Sequence, residues 1–258
     1  MRRLPTWLKA ALIALMFVWG LLATTVVWPL LGMALGRKAG YFQEIIRRSW
    51  CAGVCRILNV EVETIGQPSL DTRLWIANHI SWLDIIALGA RHPLLFVAKA
   101  EVAAWPVMGY LAQRLGTLFV RRGDAEQTTT IAEQMAWQLR QGRQIMLFPE
   151  GTTTNGERVL RFHAKLLHPA QLANVQVQAI GLEYQGEAKQ FAPFIGDDDF
   201  LPHLLQIFNL DRIPLRVHYC QPLPAGLHRD ILAQTTRKQV VAALFPKPMA
   251  DELKTRHG

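Results

Sequence analysis

The segment Asn78-His79-Ile80-Ser81-Trp82-Leu83-Asp84 sets a histidine and an aspartate five residues apart. An imidazole has the basicity to take a proton from an alcohol near neutral pH. A carboxylate one helical turn further on can fold back to the ring, fix its tautomer and stabilise the imidazolium. The segment follows the apolar run Leu74-Trp75-Ile76-Ala77. It therefore stands where a strand gives way to a helix, and α/β sheets place ligands at the carboxyl ends of their strands. A plainer reading is open as well. Ser81 followed three residues later by Asp84 is a capping box, which leaves Asp84 as a helix cap and His79 as a surface histidine.

Two more segments carry chemistry. Phe148-Pro149-Glu150-Gly151-Thr152 again follows an apolar strand, Ile145 to Phe148. Glu150 is ill-suited to a core, and Gly151 lets a ligand approach the backbone. The alternative is a strand followed by an ordinary turn. In Gly116-Thr117-Leu118-Phe119-Val120-Arg121-Arg122, adjacent arginines suit a phosphate through bidentate, charge-assisted bonds. The alternative there is a solvated basic turn.

These segments need elements to hold them. Short β-branched runs read as strands at Val60 to Ile65, Leu74 to Ala77, Leu94 to Ala98, Thr117 to Val120, Ile145 to Phe148, Val175 to Glu183 and Leu215 to Tyr219. Helical windows lie at Leu83 to Gly89, Val107 to Leu115, Ala125 to Gln141 and His228 to Leu244. The alternation predicts a single α/β domain with a central mixed, partly parallel sheet flanked by helices.

Residues 10 to 36 carry no charge, and about 20 apolar residues suffice to span a bilayer. Residues 1–40 read as a retained membrane anchor, either one span or a kinked helical pair, with Pro29 kinking or ending the helix. Trp7, Trp19 and Trp28 beside the apolar run favour a membrane interface. A cleaved signal peptide is the competing reading, but Arg37-Lys38 looks like a stop-transfer flank. Tyr41 to Leu58 reads either as an amphipathic helix with Arg47, Arg48 and Arg56 toward an anionic surface, or as an ordinary domain helix.

The net charge of +8 suits an anionic partner: nucleic acid, anionic lipid or an acidic carrier protein. No recognisable nucleic-acid reader motif accompanies it. Cys51, Cys55 and Cys220 complete no metal set and read as small buried residues. Asp197-Asp198-Asp199, just before Phe200, reads as a helix cap.

The three segments, in this order and spacing, resemble the lysophospholipid acyltransferase family, whose best-known branch is 1-acylglycerol-3-phosphate acyltransferase. That family carries Asn-His-x-x-x-x-Asp, then Gly-x-x-Phe-(Ile/Val)-x-Arg, then Phe-Pro-Glu-Gly-Thr. The resemblance covers roughly residues 58 to 225. It implies that His79 is the general base and Asp84 its orienting carboxylate. It places the acceptor's phosphate at Arg122 and its glycerol part at Glu150 and Gly151, with Thr152, Asn78 and Ser81 also lining the substrate. The resemblance further implies acyl-carrier protein or acyl-CoA as donor and co-substrate, with neither cofactor nor metal. It leads one to expect residues 41–258 to form the acyltransferase domain. That domain is expected at the inner membrane, facing the cytoplasm, where acyl donors occur. No Gly-x-Ser-x-Gly elbow points to a covalent intermediate.

Two departures bear on the acceptor. The third block often continues Thr-Arg-Ser, and here Thr153 replaces that arginine. Val175 to Ile180 lacks the proline of a fourth family block. Gly156 to Lys165 also resembles a branch that includes lyso-ornithine-lipid acyltransferases, whose acceptor bears a carboxylate and no phosphate. Arg158, Arg161 and Lys165 could compensate for the missing arginine, dock an acidic carrier, or form a solvated face. The acceptor expected first is 1-acylglycerol-3-phosphate, giving phosphatidic acid; lyso-ornithine lipid is the alternative. A non-catalytic protein that binds lipid at the membrane surface is the rival from another class.

Overall fold

The computed structural model describes residues 4–120, 125–196 and 198–246. The uncharged run folds as α1 (Thr6–Leu22), a π-helical turn (Ala23–Val27) and α2 (Trp28–Leu35). Pro29 does not end the helix. It falls in the first turn of α2, just past the π turn, where the bonding register has already slipped and a missing N–H costs little. Gly36, with φ +51°, turns the chain, and α3 (Ala39–Leu58) runs back along α1. Trp50 Nε1 donates to Met16 O at 2.6 Å. Its ring meets Phe17 edge-on at 5.8 Å. The apolar N-terminal segment is thus one arm of a helical hairpin, and Leu15, Val18, Leu22, Val26, Leu30 and Met33 stay exposed on it.

Buried cations tie this hairpin to the rest of the chain. Lys9 donates to Phe208 O and Leu210 O at 3.0 and 2.6 Å. Arg47, which one of the two sequence readings put on a basic membrane-facing side, is buried, as in an ordinary domain helix. It donates to Leu94 O and pairs with Glu44 at 2.5 Å. Packing against the domain outweighs amphipathic placement here, because a carbonyl and a carboxylate meet the guanidinium.

The chain continues as β1 (Val60–Ile65), β2 (Leu74–Ala77), α4 (Trp82–Arg91), β3 (Leu94–Lys99), α5 (Met108–Arg114), β4 (Leu118–Val120), α6 (Ala125–Arg140) and β5 (Gln144–Leu147). Then follow α7 (His168–Ala173), β6 (Val177–Tyr184), α8 (Ala188–Phe191), α9 (Phe200–Phe208), β7 (Ile213–Tyr219) and α10 (Arg229–Leu244). The strands form one sheet in the order β1-β7-β6-β2-β5-β3-β4. All pairs are parallel except β6 with β7. β7 begins two residues before the run seen in the sequence, because Pro214 masks its start.

β2 is buried along its whole length, as expected of a parallel strand covered on both faces. Trp75 and Ala77 point into the layer holding α1, α3, α4 and α9, and Leu74 and Ile76 into that of α6, α7 and α10. β2 lies beside β5 with Leu74 opposite Ile145 and Ile76 opposite Leu147. That register brings the residues after Ala77 and after Leu147 out side by side, at one carboxyl edge of the sheet.

Candidate active site

Asp84 is fully buried, and His79 keeps a small exposed area (side chains 0 and 17 % exposed). His79 Nδ1 and Asp84 Oδ2 lie 2.8 Å apart. The same oxygen accepts from the backbone N–H groups of Ile80 at 2.8 Å and Ser81 at 3.0 Å. Oδ1 accepts from the Tyr184 hydroxyl at 2.7 Å. A carboxylate that already takes three donors is an acceptor, so Nδ1 carries a proton toward it, and in the neutral ring Nε2 is the nitrogen with the lone pair. Four donors meet the cost of burying the charge.

The helix cap and the His79–Asp84 contact are both present in this segment. Ser81 is the N-cap of α4, and its hydroxyl and the Asp84 carboxylate complete a capping box. The bonds that start the helix are also those that aim Asp84 at the ring. Asn78 is buried, and both ends of its amide are bonded: Nδ2 donates to Leu182 O at 3.0 Å, and Oδ1 accepts from Leu182 N–H at 2.8 Å. It extends the β2–β6 ladder by one side chain and holds the start of the loop against β6. Ser81 is likewise spent on the cap.

Phe148 stacks on the His79 ring, with centroids 3.9 Å apart and planes 13° from parallel. The ring is thus clamped by an aromatic face as well as by Asp84. Beyond Phe148 the chain turns at Gly151, φ +69°, a conformation that glycine adopts without strain. Thr154 N–H then donates to His79 O at 2.9 Å. Gly151 and Thr152 are half-buried beside this junction.

Glu150 is 3 % exposed, and neither carboxylate oxygen makes a hydrogen bond of normal geometry among the described residues. Burial pushes its carboxyl up to about 7, against the pull of the Leu160 and His79 backbone and of Arg237. A buried acid without partners is costly unless protonated or met by a ligand. Arg122, the expected phosphate contact, lies outside the described residues.

Tyr184 was not visible as a site residue in the sequence. Its hydroxyl is pushed well above the ordinary phenol range by burial and then by the Asp84 charge. The one signal was a tyrosine at the end of an apolar strand, which needs a partner for its hydroxyl. His203 on α9 is a second such residue. It accepts from Trp82 Nε1–H at 3.0 Å and lies 3.0 Å from Pro193 O, pinning the first residue of α4. Burial lowers its basicity.

A surface cleft of about 730 Å³ opens next to the Thr154 to Glu157 loop, and Glu157, Lys189, Asp198 and Asp199 stand among its walls. Asp199 holds the N-cap position of α9, yet its side chain makes no capping bond. Asp198 accepts from Ile195 N–H at 2.8 Å. Asp198 and Asp199 thus stand at the cleft and neither side chain caps α9, while Asp197 lies outside the described residues. A smaller apolar cavity of about 150 Å³ lies under the hairpin, bounded by Trp50, Ile85, Ile86, Phe96 and Leu111. Ile85 and Ile86 directly follow Asp84.

Known proteins resemble this chain in sequence and in fold. A family model described as Acyltransferase matches residues 60–183. The chain is 43 % identical over 206 residues to a lyso-ornithine lipid O-acyltransferase of Pseudomonas aeruginosa, covering 79 % of this chain and 80 % of that one. It is 33 % identical over 172 residues to a 1-acyl-sn-glycerol-3-phosphate acyltransferase of Neisseria meningitidis, covering 65 % and 67 %. The crystal structure of the 1-acyl-sn-glycerophosphate acyltransferase of Thermotoga maritima shares the fold, with a TM-score of 0.63 at 15 % identity over 93 % of this chain and 98 % of that one.

Proposed function

Because the chain belongs to the acyltransferase family of the lysophospholipid type, we propose that it moves a fatty-acyl group from a thioester to the free hydroxyl of lyso-ornithine lipid, with His79 as general base and Asp84 as the carboxylate that orients it. The carrying observation is the 2.8 Å His79–Asp84 pair, closed off from water on the Asp84 side and open at Nε2. The hydroxyl proton passes to Nε2 as the oxygen bonds to the thioester carbonyl carbon. The carbon–sulfur bond then breaks, and the departing thiolate leaves with the proton from the imidazolium. No acyl-enzyme is needed. A protein that only binds lipid at a membrane surface has no use for such a pair.

Three observations support this acceptor over 1-acylglycerol-3-phosphate, the one the sequence motifs rank first. Thr153 stands where the family often has an arginine. The cleft next to the Thr154 to Glu157 loop carries Glu157, Asp198 and Asp199 for an ammonium and Lys189 for a carboxylate, as a zwitterionic headgroup requires. The relative that is 43 % identical bears that name. A second reading, the phosphate-bearing acceptor, draws on Arg122 in the family's arginine block and on the Neisseria relative.

The exposed apolar face of the hairpin suits insertion into a membrane, with the site at the cytoplasmic face of the inner membrane, where acyl thioesters occur. The apolar cavity beside Ile85 and Ile86 offers an acyl chain a place to lie. An acceptor panel tests the reading: lyso-ornithine lipid, lysophosphatidate and other lysophospholipids, with products identified by mass. Preference for lyso-ornithine lipid is expected, and preference for lysophosphatidate would establish the second reading instead.

A further inference from the structure

We propose that the loop bearing Arg158, Arg161 and Lys165 is the docking surface for an acidic acyl-carrier protein that brings the donor, an inference that rests on the acyl transfer proposed above. All three side chains are exposed, and none has a hydrogen-bond or ion-pair partner among the described residues. Glu157, the acid next to them, is bonded to Asn155 at 2.8 Å. A bare cationic array on a chain of net charge +8 attracts an acidic surface at long range.

The array is held in place. Val159 and Phe162 are buried between the cations and anchor the loop in the core. Arg237 donates to Leu160 O at 2.8 Å and to Val159 O at 2.7 Å. The loop is also tied to the site at both ends: Thr154 N–H donates to His79 O, and His163 N–H to Pro149 O, each at 2.9 Å. Little further ordering is needed when a partner binds, which lowers the cost of association.

The layering decides between a soluble partner and the bilayer. Val159 and Phe162 pack into the layer of α6, α7 and α10, whereas α1, α3 and α9 cover the opposite face of the sheet. The cations therefore sit on the far side of the sheet from the apolar hairpin. Nor do they line the 730 Å³ cleft or the apolar cavity, as an enclosed coenzyme nucleotide would require. What remains for them is a water-borne, negatively charged macromolecule whose thioester arm reaches past the loop to His79.

The test is steady-state kinetics of the full chain in membranes, with acyl-carrier protein and acyl-phosphopantetheine as alternative donors to one acceptor. For the charge reversal R158E/R161E/K165E, KM for the acyl-carrier protein should rise at least about tenfold, within what electrostatic steering supplies. Its kcat and its rate with the small donor should hold within about twofold, and the salt dependence seen with the wild-type chain should vanish. R158K/R161K should behave as wild type, and R158Q/R161Q/K165Q replaces the reversal if that variant does not fold. Equal losses with both donors, a raised KM for the acceptor, loss of binding to anionic vesicles, or no change would each overturn the proposal. Failure of the wild-type chain to use any donor would instead sink the acyl-transfer reading itself.

Discussion

The Tyr184 hydroxyl donates to Asp84 Oδ1 at 2.7 Å across 100 residues of sequence. It leaves Oδ2 free to face the His79 ring and the two amides that start α4. The carboxylate is thus held from both sides, and it has one orientation in which all four donors are met.

Tyr184→Phe removes one of those donors and nothing else of the tyrosine's shape. Losing a hydrogen bond to a buried charge should cost roughly 1.5–3 kcal/mol of stability. As Asp84 loosens, kcat should fall several-fold while KM for the acceptor stays put. Thermal unfolding and initial rates measured together check this; a change in KM alone would place Tyr184 on the acceptor rather than behind Asp84.

Glu150 sets a pH dependence of stability. Its folded-state carboxyl titrates near 7 against an ordinary 4.5. A raised acid favours the folded state while protonated, so that contribution is complete below about 4.5 and is lost as pH rises through about 7. At 1.36 kcal/mol per unit, the loss is at most about 3 kcal/mol. Glu150→Gln should be more stable than the parent near pH 8, with the gap closing toward pH 4. Parallel melting curves for the two proteins across that range would show that Glu150 is not the group responsible.

The acidic wall of the cleft should select the headgroup. Glu157→Gln with Asp199→Asn should raise KM for lyso-ornithine lipid about tenfold, as expected when a charged partner is lost. The rate with lysophosphatidate should be unchanged or improved. Equal effects on both acceptors would remove the cleft from headgroup recognition.

Lys9 should matter to the seating of the hairpin. Its ammonium bonds two carbonyls at the end of α9 from inside the structure. Lys9→Ala leaves those carbonyls buried and unmet, a loss of roughly 1–3 kcal/mol, and should also release α1 to proteolysis. Unchanged protease resistance of α1 would show that packing alone holds it.

Much of this was legible in the sequence. The spacing of His79 and Asp84, the strand before each block and the uncharged run of residues 10–36 all follow from local patterns that the fold preserves. What local pattern does not record is sheet register. Tyr184 meets Asp84, and Asn78 meets Leu182, only because β6 lies beside β2 with Ala77 opposite Ile180. Arg47 turns inward for a related reason: Leu94 O, 47 residues away in sequence, accepts from it, whereas its partner Glu44, three residues back on the same helix, was within reach of local spacing. A helix cap and a His79–Asp84 pair do not exclude each other, since Asp84 serves α4 and the ring with one oxygen.

The most direct measurement is acyl transfer by His79→Ala in washed membranes, with a matched wild-type sample and a thermal melt of each. His79→Ala removes one of the four donors to the buried Asp84, so the melting temperature should fall about as far as in Tyr184→Phe while the protein stays folded. The rate of product formation should drop by about 10²–10⁴, the range general-base catalysis contributes. Transfer at near wild-type rate by a folded His79→Ala protein would contradict the role assigned to the His79–Asp84 pair.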